Sequence, residues 1–183
     1  MTVVAAWWTE GGAFMASDSS FSYGGHGAMK VVGPKIIETP DALCGFAGAR
    51  VLFEWWWWAL ATDHAGVAAA SDLRRATAAF RAWAKSEGHG QVIDGLWTLD
   101  LVAVFALRAG LWAITPDGAV MPIAEPYHAI GSGRDQAMGA LYTLHALGMQ
   151  PTDGLLSMVV GASIAHAVGI DGPPRTAALR ERA

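Results

Sequence analysis

Hydrophobic and polar positions change pattern along the chain, which predicts blocks of strands followed by blocks of helices. The first fifty residues carry short apolar or β-branched runs separated by Gly, Ser and Pro, as is typical of strands joined by turns. These runs cover residues 2–8, 13–16, 30–32, 35–37 and 43–47. From about 51 to 62 and from 71 to 85, apolar residues instead recur at the spacing of a helix.

The second half of the chain repeats this order. Apolar runs at 97–107, 111–115 and 119–121 are joined by short turns, one of which is the strong turn sequence Thr115-Pro116-Asp117-Gly118. We predict a hairpin meander there and a strand at 127–130. A helix around 137–144 and a second helix from about Asp153 follow.

This order of elements predicts the fold class. Strands, two helices, strands and two helices lack the strand–helix alternation of a parallel sheet. We therefore expect an α+β fold, a four-layer αββα sandwich with two antiparallel sheets between helix pairs. The length of 183 residues and the hydrophobic content of 53% fit a single domain over 1–183. The polar segment from about 173 to 183 is expected to be a loosely held tail.

Charge and composition exclude several classes of partner. The chain has 12 basic and 16 acidic residues without a block of like charge, so no nucleic acid or anionic membrane partner is expected. No basic and apolar leader precedes Glu10, and the apolar stretches fall short of the roughly 20 residues that a membrane helix needs. The one cysteine, Cys44, lies in an apolar run and predicts a buried thiol in a reducing compartment. We expect a cytoplasmic protein.

Four consecutive tryptophans, Trp55 to Trp58, lie in the first predicted helix. This run has no hydrophilic face, so its side chains must be buried on all sides or meet another subunit. We interpret the run as a subunit interface. The alternative is an internal core.

The residue after Met1 is a threonine, which carries chemistry of its own. If Met1 is removed, Thr2 has a hydroxyl nucleophile and a free α-amine, whose ordinary pKa of about 7.7–8.0 suits a general base at neutral pH. Asp18 follows one predicted strand and Lys35 begins another, so adjacent strands could bring both beside Thr2. The alternative on spacing alone is a turn aspartate and a solvated edge lysine.

Together these pieces resemble the proteasome β-subunits and the HslV peptidase, a family of N-terminal nucleophile (Ntn) hydrolases. The matching pieces, in order, are Thr2, Ala16-Ser17-Asp18, Lys35-Ile36-Ile37, Gly45-Phe46-Ala47-Gly48 and Ala129-Ile130-Gly131-Ser132-Gly133 before a helix. The HslV branch is the more similar one, because Met29-Lys30 through Lys35 also has a counterpart there.

The resemblance implies a catalytic role for five residues. Thr2 would be the nucleophile and, through its amine, the base. Lys35 would lower the pKa of the nucleophile, Asp18 would hold Lys35, and Ser132 would hydrogen-bond near the amine. The backbone N–H of Gly48 would stabilise the oxyanion.

The resemblance also implies contacts with substrate. Ser22 would hydrogen-bond the substrate backbone, while Phe46 and Arg50 would flank the pocket for its side chain. If Arg50 faces that pocket, acidic side chains are preferred. The alternative for Phe46 is core packing.

The implied activity is that of a threonine-type endopeptidase. It would be enclosed in homo-oligomeric stacked rings and would act on peptides or unfolded proteins, with an ATPase unfoldase as partner. No metal or cofactor is expected, because the six histidines lack metal-ligand spacing and no cysteine pair accompanies them.

Two alternatives stay open, the first because of a departure from the family pattern. The proteasome pattern has an aspartate near the amine at the end of the last long helix, where this chain offers Ala167 or Val168, with Asp171 a few residues on. The first alternative is a ring-forming homologue with weak or absent catalysis and a scaffold role. The second, which follows from the same Thr2 chemistry, is an Ntn amidohydrolase of small amides.

Overall fold

The computed structural model of the chain describes residues 2–22, 30–61, 66–166 and 172–180, without the side chains at 21, 22, 30–32 and 180. The strands are β1 Val3–Thr9, β2 Gly12–Ser17, β3 Ser20–Ser22, β4 Lys30–Val32, β5 Ile36–Glu38, β6 Ala42–Gly48, β7 Gln91–Ile93, β8 Leu96–Thr98, β9 Leu101–Leu107, β10 Gly110–Ile114, β11 Val120–Pro122, β12 Tyr127–Gly131 and β13 Arg175–Arg180. The helices are α1 Arg50–Ala61, α2 Ala70–Ser86, α3 Arg134–Ala146 and α4 Asp153–His166.

The strands form two larger antiparallel sheets in the described part of the chain. The first sheet has the order β12-β1-β2-β13, and the second has the order β11-β10-β9-β6-β5. β1 pairs with β2 next to it in sequence and with β12 far along the chain. Two-stranded pairs β3-β4 and β7-β8 lie outside these sheets.

Three apolar cores separate four layers. One core joins α1 and α2 to the second sheet through residues such as Trp56, Phe80 and Phe105. Another joins α3 and α4 to the first sheet, with Leu141 and Leu156 fully buried. The third core fills the space between the sheets and includes Val4, Ala6, Met15, Leu43, Val104 and Ile130. The α+β prediction of two antiparallel sheets between helix pairs is therefore confirmed.

The two sheets approach each other closely at Gly45. A Cβ atom at this position would lie 2.5 Å from Cγ1 of Val4 and 2.8 Å from Sδ of Met15, both of which belong to the facing sheet. Close packing of this kind leaves no room for a side chain. Gly45 thus fixes the distance between the layers near the beginning of β1.

The expected loose tail is wrong for residues 175–180. These residues form β13, which pairs with β2 from Arg175 opposite Ser17 to Arg180 opposite Gly12. β13 occupies the edge of the first sheet, and Ala177 and Leu179 on one of its faces pack into the core between the sheets. This six-residue segment is short, and the polar residues around it conceal it in the sequence.

A second difference concerns the predicted strand at 97–107. The structure divides it at Leu99 and Asp100 into β8 and β9, and β8 pairs with the unpredicted strand β7. Asp94 and Gly95 both have positive φ angles, 50° and 80°, at the tip of this hairpin. Asp-Gly is the sequence that such two-residue turns favour, so the signal was present.

The tryptophan run of α1 is split between core and surface. Trp56 is fully buried and Trp55 packs against the same core, whereas Trp57 and Trp58 are 41% and 54% exposed. Trp55 and Trp56 are therefore part of the internal core, as the alternative interpretation of the run expected. The last two rings lie at the surface, where a neighbouring subunit could meet them.

The helices and the cysteine bear on two further expectations. No helix in the described ranges is both long and apolar enough to cross a membrane. Cys44 is fully buried, as expected, and its burial raises the pKa of the thiol well above 9.0. A thiol in this state is an inert packing group.

Candidate active site

Thr2 lies at the beginning of β1, where the loop after β12 holds its backbone. Its N–H donates to Oγ of Ser132 at 3.1 Å, and its carbonyl oxygen accepts from Oγ of Ser132 at 3.3 Å and from the N–H of Gly133 at 3.2 Å. Thr2 is only 8% exposed. These contacts fix the backbone on both sides of the carbon that carries the side chain.

The Thr2 hydroxyl contacts a buried cation. Nζ of Lys35 donates to Oγ1 of Thr2 at 2.9 Å and to Oδ2 of Asp18 at 2.7 Å. Lys35 is 1% exposed and Asp18 is fully buried. The structure therefore brings together Thr2, Asp18, Lys35 and Ser132, the four residues expected to form the catalytic group.

The two oxygens of the Asp18 carboxylate accept hydrogen bonds from different partners. Oδ2 holds Lys35, and Oδ1 accepts the N–H of Val3 at 2.8 Å. The N–H of Asp18 in turn donates to the carbonyl of Val3 at 3.2 Å. Because Val3 follows Thr2 directly, the same carboxylate positions both the Lys35 cation and the strand that follows Thr2.

Two sheets contribute to this group. Asp18 follows the end of β2 in the first sheet, while Lys35 precedes β5 at the edge of the second sheet. The carbonyl of Lys35 accepts the N–H of Phe46 at 3.1 Å, which attaches it to β6. The ion pair thus connects the layers at one end of the sandwich.

Burial and Asp18 act on Lys35 in opposite directions. Burial lowers the pKa of Lys35 from its ordinary 10.5, whereas the charge of Asp18 and their hydrogen bond raise it, and the net direction is downward. As an ammonium, Lys35 favours the ionised form of a hydroxyl 2.9 Å away. The arrangement can therefore lower the pKa of the Thr2 hydroxyl.

Gly131 can lie against the backbone of Thr2 only because it has no side chain. Its φ angle is +90°, and a Cβ atom there would lie 2.2 Å from the carbonyl oxygen of Thr2. Gly131 pairs with Val3 across β12 and β1, so this contact follows from the strand register. A side chain at 131 must displace either Thr2 or the loop that carries Ser132.

We expect Gly131→Ala to destabilise the fold by at least about 2 kcal/mol, because it combines a strained φ with a backbone clash. Gly148→Ala is the matched control, since Gly148 also has a positive φ, +70°, but no atom within 4 Å of the added Cβ. The control should lose only about 1 kcal/mol. Urea unfolding measures both, and equal losses would contradict the clash at Thr2.

The residues expected to bind substrate are more dispersed. Phe46 is 3% exposed and its ring contacts Phe53, Trp56 and Phe105, so it is part of the aromatic core. Arg50 begins α1 and forms an ion pair with Glu54 at 2.8 Å. Ser22 ends β3, and its side chain lies outside the described set. Their contacts with substrate stay predictions.

Gly48 ends β6 immediately before α1. Its φ angle is +128°, and a Cβ atom there would lie 2.1 Å from the carbonyl oxygen of Asp100. The backbone therefore requires glycine at this point. Its role as the oxyanion donor stays a prediction.

Solved structures with the same arrangement of strands and helices belong to HslV and to a protein named BPH. BPH from Thiobacillus denitrificans is 17% identical over 97% of each chain with a TM-score of 0.77. The same protein in complex with epoxomicin is 16% identical over 99% of this chain and 100% of that one, with a TM-score of 0.76. HslV from Trypanosoma brucei is 15% identical over 98% and 99% of the two chains, with a TM-score of 0.75.

The chain has an HslV-type fold. The resemblance deduced from the sequence is thereby confirmed at the level of the fold, over nearly the whole chain. No protein-family model and no curated protein matches the sequence. The similarity is therefore detected by comparing structures. At these identities the HslV-type fold alone is shown, and the chemistry depends on the residues described above.

Sequence reasoning missed three backbone contacts that hold the candidate site together. They are the Gly131 contact, the Gly133 N–H on the Thr2 carbonyl and the Val3 N–H on Asp18. All three involve backbone atoms, so no side-chain motif encodes them. The only indication of these contacts in the sequence is the pair of glycines on either side of Ser132. The residues Met1, Ala167, Val168 and Asp171 lie outside the described set.

Proposed function

We propose that this protein is a threonine-type endopeptidase in which Thr2 is the nucleophile. The observation that carries the proposal is Nζ of Lys35, which lies 2.9 Å from Oγ1 of Thr2 and 2.7 Å from Oδ2 of Asp18 in a buried setting. A buried cation that binds a hydroxyl and is held by a carboxylate is a means of activating a nucleophile.

The proposed reaction requires that Met1 be removed, which converts the Thr2 backbone nitrogen into a primary amine. This nitrogen already lies 3.1 Å from Oγ of Ser132. The neutral amine takes the proton from Oγ1 as Oγ1 attacks the substrate carbonyl carbon. It then gives that proton to the leaving amine, and water hydrolyses the resulting ester.

Electrostatics supply the remaining stabilisation. The Lys35 ammonium donates to Oγ1 and stabilises the negative charge that develops there. The backbone N–H of Gly48 is proposed to donate to the substrate oxyanion, a contribution that can reach about 3 kcal/mol per donor. Asp18 positions Lys35 and does not touch the substrate.

The structural similarity includes a BPH that is in complex with epoxomicin. Epoxomicin is an epoxyketone, and its ketone and epoxide are two electrophiles. A residue with a hydroxyl and an amine on neighbouring carbons is suited to react with both. We therefore propose the same reactivity for a processed Thr2.

Two measurements test the proposal in sequence. Intact-mass spectrometry should show loss of Met1 from the native protein; complete retention would contradict the mechanism. An epoxyketone probe should then form a covalent adduct that peptide mapping places on Thr2. An unlabelled, processed protein with no peptide turnover would instead favour the scaffold role that the absence of an aspartate at Ala167 motivates.

Peptide substrates separate the remaining activities. A threonine endopeptidase should cleave internal bonds of an unstructured protein such as casein. Turnover of small amides alone, with peptides untouched, would favour an Ntn amidohydrolase. An ATPase unfoldase is proposed as partner, and it would be recognised by ATP-dependent degradation of a folded substrate.

Stacked rings are proposed for the assembly, with the exposed rings of α1 in a subunit contact. Trp57 and Trp58 are 41% and 54% exposed, a large apolar area for a helix surface. Replacing both by Gln should shift the native mass from a ring-sized oligomer to smaller species, while circular dichroism stays unchanged. A parent protein that is a stable monomer would contradict the contact.

A further inference from the structure

A cavity lies at the edge of the sandwich, between β13 of the first sheet and β5 of the second. Its volume is about 290 Å³, and its lining includes Ser17, Lys35, Glu38 and Arg175. The volume is near the lower limit for small-molecule sites. The cavity therefore suits a ligand no larger than a few residues.

Ser17 presents an unsatisfied hydroxyl in this cavity. It is fully buried, and its Oγ has no hydrogen-bond partner among the described residues. Ser17 lies directly opposite Val4, whose side chain belongs to the core between the sheets, so both side chains point to the same face. A buried hydroxyl without a partner costs about 1–3 kcal/mol, which a bound polar group would recover.

Arg175 lies beside this hydroxyl. It is directly opposite Ser17 in the pairing of β13 with β2, and directly opposed residues have Cβ atoms about 4.5–5.5 Å apart on one face. Ala177, two residues on, packs against the core between the sheets, which places Arg175 on that inner face as well. Ser17 and Arg175 are therefore cross-strand neighbours on one face, and both line the cavity.

Glu38 brings the opposite charge to the same cavity. Both Glu38 and Arg175 are exposed, and neither forms an ion pair within the described part of the chain. The two charges thus line one cavity without neutralising each other. Such a pair complements a ligand that carries a carboxylate and an ammonium.

We propose that this cavity binds a small zwitterion, an amino acid or a dipeptide. The carboxylate binds Arg175 and the Ser17 hydroxyl, and the ammonium binds Glu38. Because Lys35 also lines the cavity, the occupant contacts the residue that binds the Thr2 hydroxyl. The inference goes beyond the peptidase proposal and does not depend on turnover.

Isothermal titration of the full chain with L-alanyl-L-alanine tests the proposal. The Thr2→Ala variant is used so that no hydrolysis interferes, and binding should saturate at one dipeptide per chain. N-acetyl-alanyl-alanine lacks the ammonium and alanyl-alanine amide lacks the carboxylate. Each should bind about fivefold more weakly, the effect of one partly exposed charge pair. Absent binding, or equal binding of all three compounds, would overturn the proposal.

Variants locate the site. Arg175→Gln should no longer distinguish the dipeptide from its amide, and Glu38→Gln should no longer distinguish it from its acetylated form. Ser17→Ala should weaken binding about fivefold while leaving the unfolding temperature equal or higher, because it removes an unsatisfied hydroxyl. Arg75→Gln, on the outer surface of α2, is the control and should bind as the parent does. Parent-like binding by all three cavity variants would place the ligand elsewhere and overturn the assignment.

Discussion

Peptide hydrolysis should fall by about a thousandfold or more when Thr2 is replaced by Ala, because the variant lacks the hydroxyl that is proposed to be the nucleophile and that Lys35 is proposed to activate. The epoxyketone adduct should disappear in the same variant. Initial rates on a fluorogenic peptide, with the adduct read by intact mass, measure both effects. The fold should persist, since Ala retains the Cβ atom and the backbone hydrogen bonds of Thr2.

Thr2→Ser is the matched control for this prediction. It keeps the hydroxyl and the amine after Met1 is removed, so it should retain adduct formation and a measurable rate. Activity in Thr2→Ala that equals the parent would refute the assignment of the nucleophile. A loss of activity in Thr2→Ala together with a loss of folded structure would require the Ser variant to decide.

Replacement of Lys35 by Met should destabilise the protein by about 3–5 kcal/mol, since it leaves the fully buried Asp18 charge without its partner. Hydrolysis should also be lost, because the hydroxyl loses its neighbouring cation. Urea unfolding measures the stability. Arg75→Met is the control, as its ion pair with Asp72 involves a side chain that is 77% exposed and should be worth under about 1 kcal/mol.

A double variant distinguishes the contribution of the Lys35–Asp18 ion pair to stability from that of side-chain packing. Lys35→Met combined with Asp18→Asn removes both charges and should be more stable than the sum of the single losses predicts. The introduced asparagine side chain keeps one carbonyl oxygen that can accept the Val3 N–H. Losses that simply add would mean that the two side chains are not energetically coupled, contrary to their distance of 2.7 Å.

Sequence patterns predicted the layers of this fold because each core face has a regular period. β1 and β6 are apolar over most of their length and lie between two cores, while α2 has its apolar residues on one face. β13 was not predicted because it is a six-residue edge strand that begins with the exposed Arg175 and Thr176. The β7–β8 hairpin was not predicted because its apolar side chains are largely exposed and do not form a buried face with a regular period.

The candidate site was predictable where side chains carry the chemistry. Asp18, Lys35 and Ser132 were placed beside Thr2 through the resemblance to the proteasome and HslV family, and the structure brings the four residues together. The backbone contacts at Gly131 and Gly133 depend on strand register, which single-sequence patterns do not fix. The cavity beside Ser17 depends on β13, so it could not be inferred once that strand was missed.

The hydrogen bond between Thr2 and Ser132 joins residues that are 130 positions apart. Ser132 therefore leaves the ribosome only after a further 130 residues have followed Thr2. Contacts of such long sequence separation form late, because closing the intervening loop costs entropy. An incomplete chain therefore carries the proposed nucleophile without its surroundings, so any activity should appear only after the protein has folded.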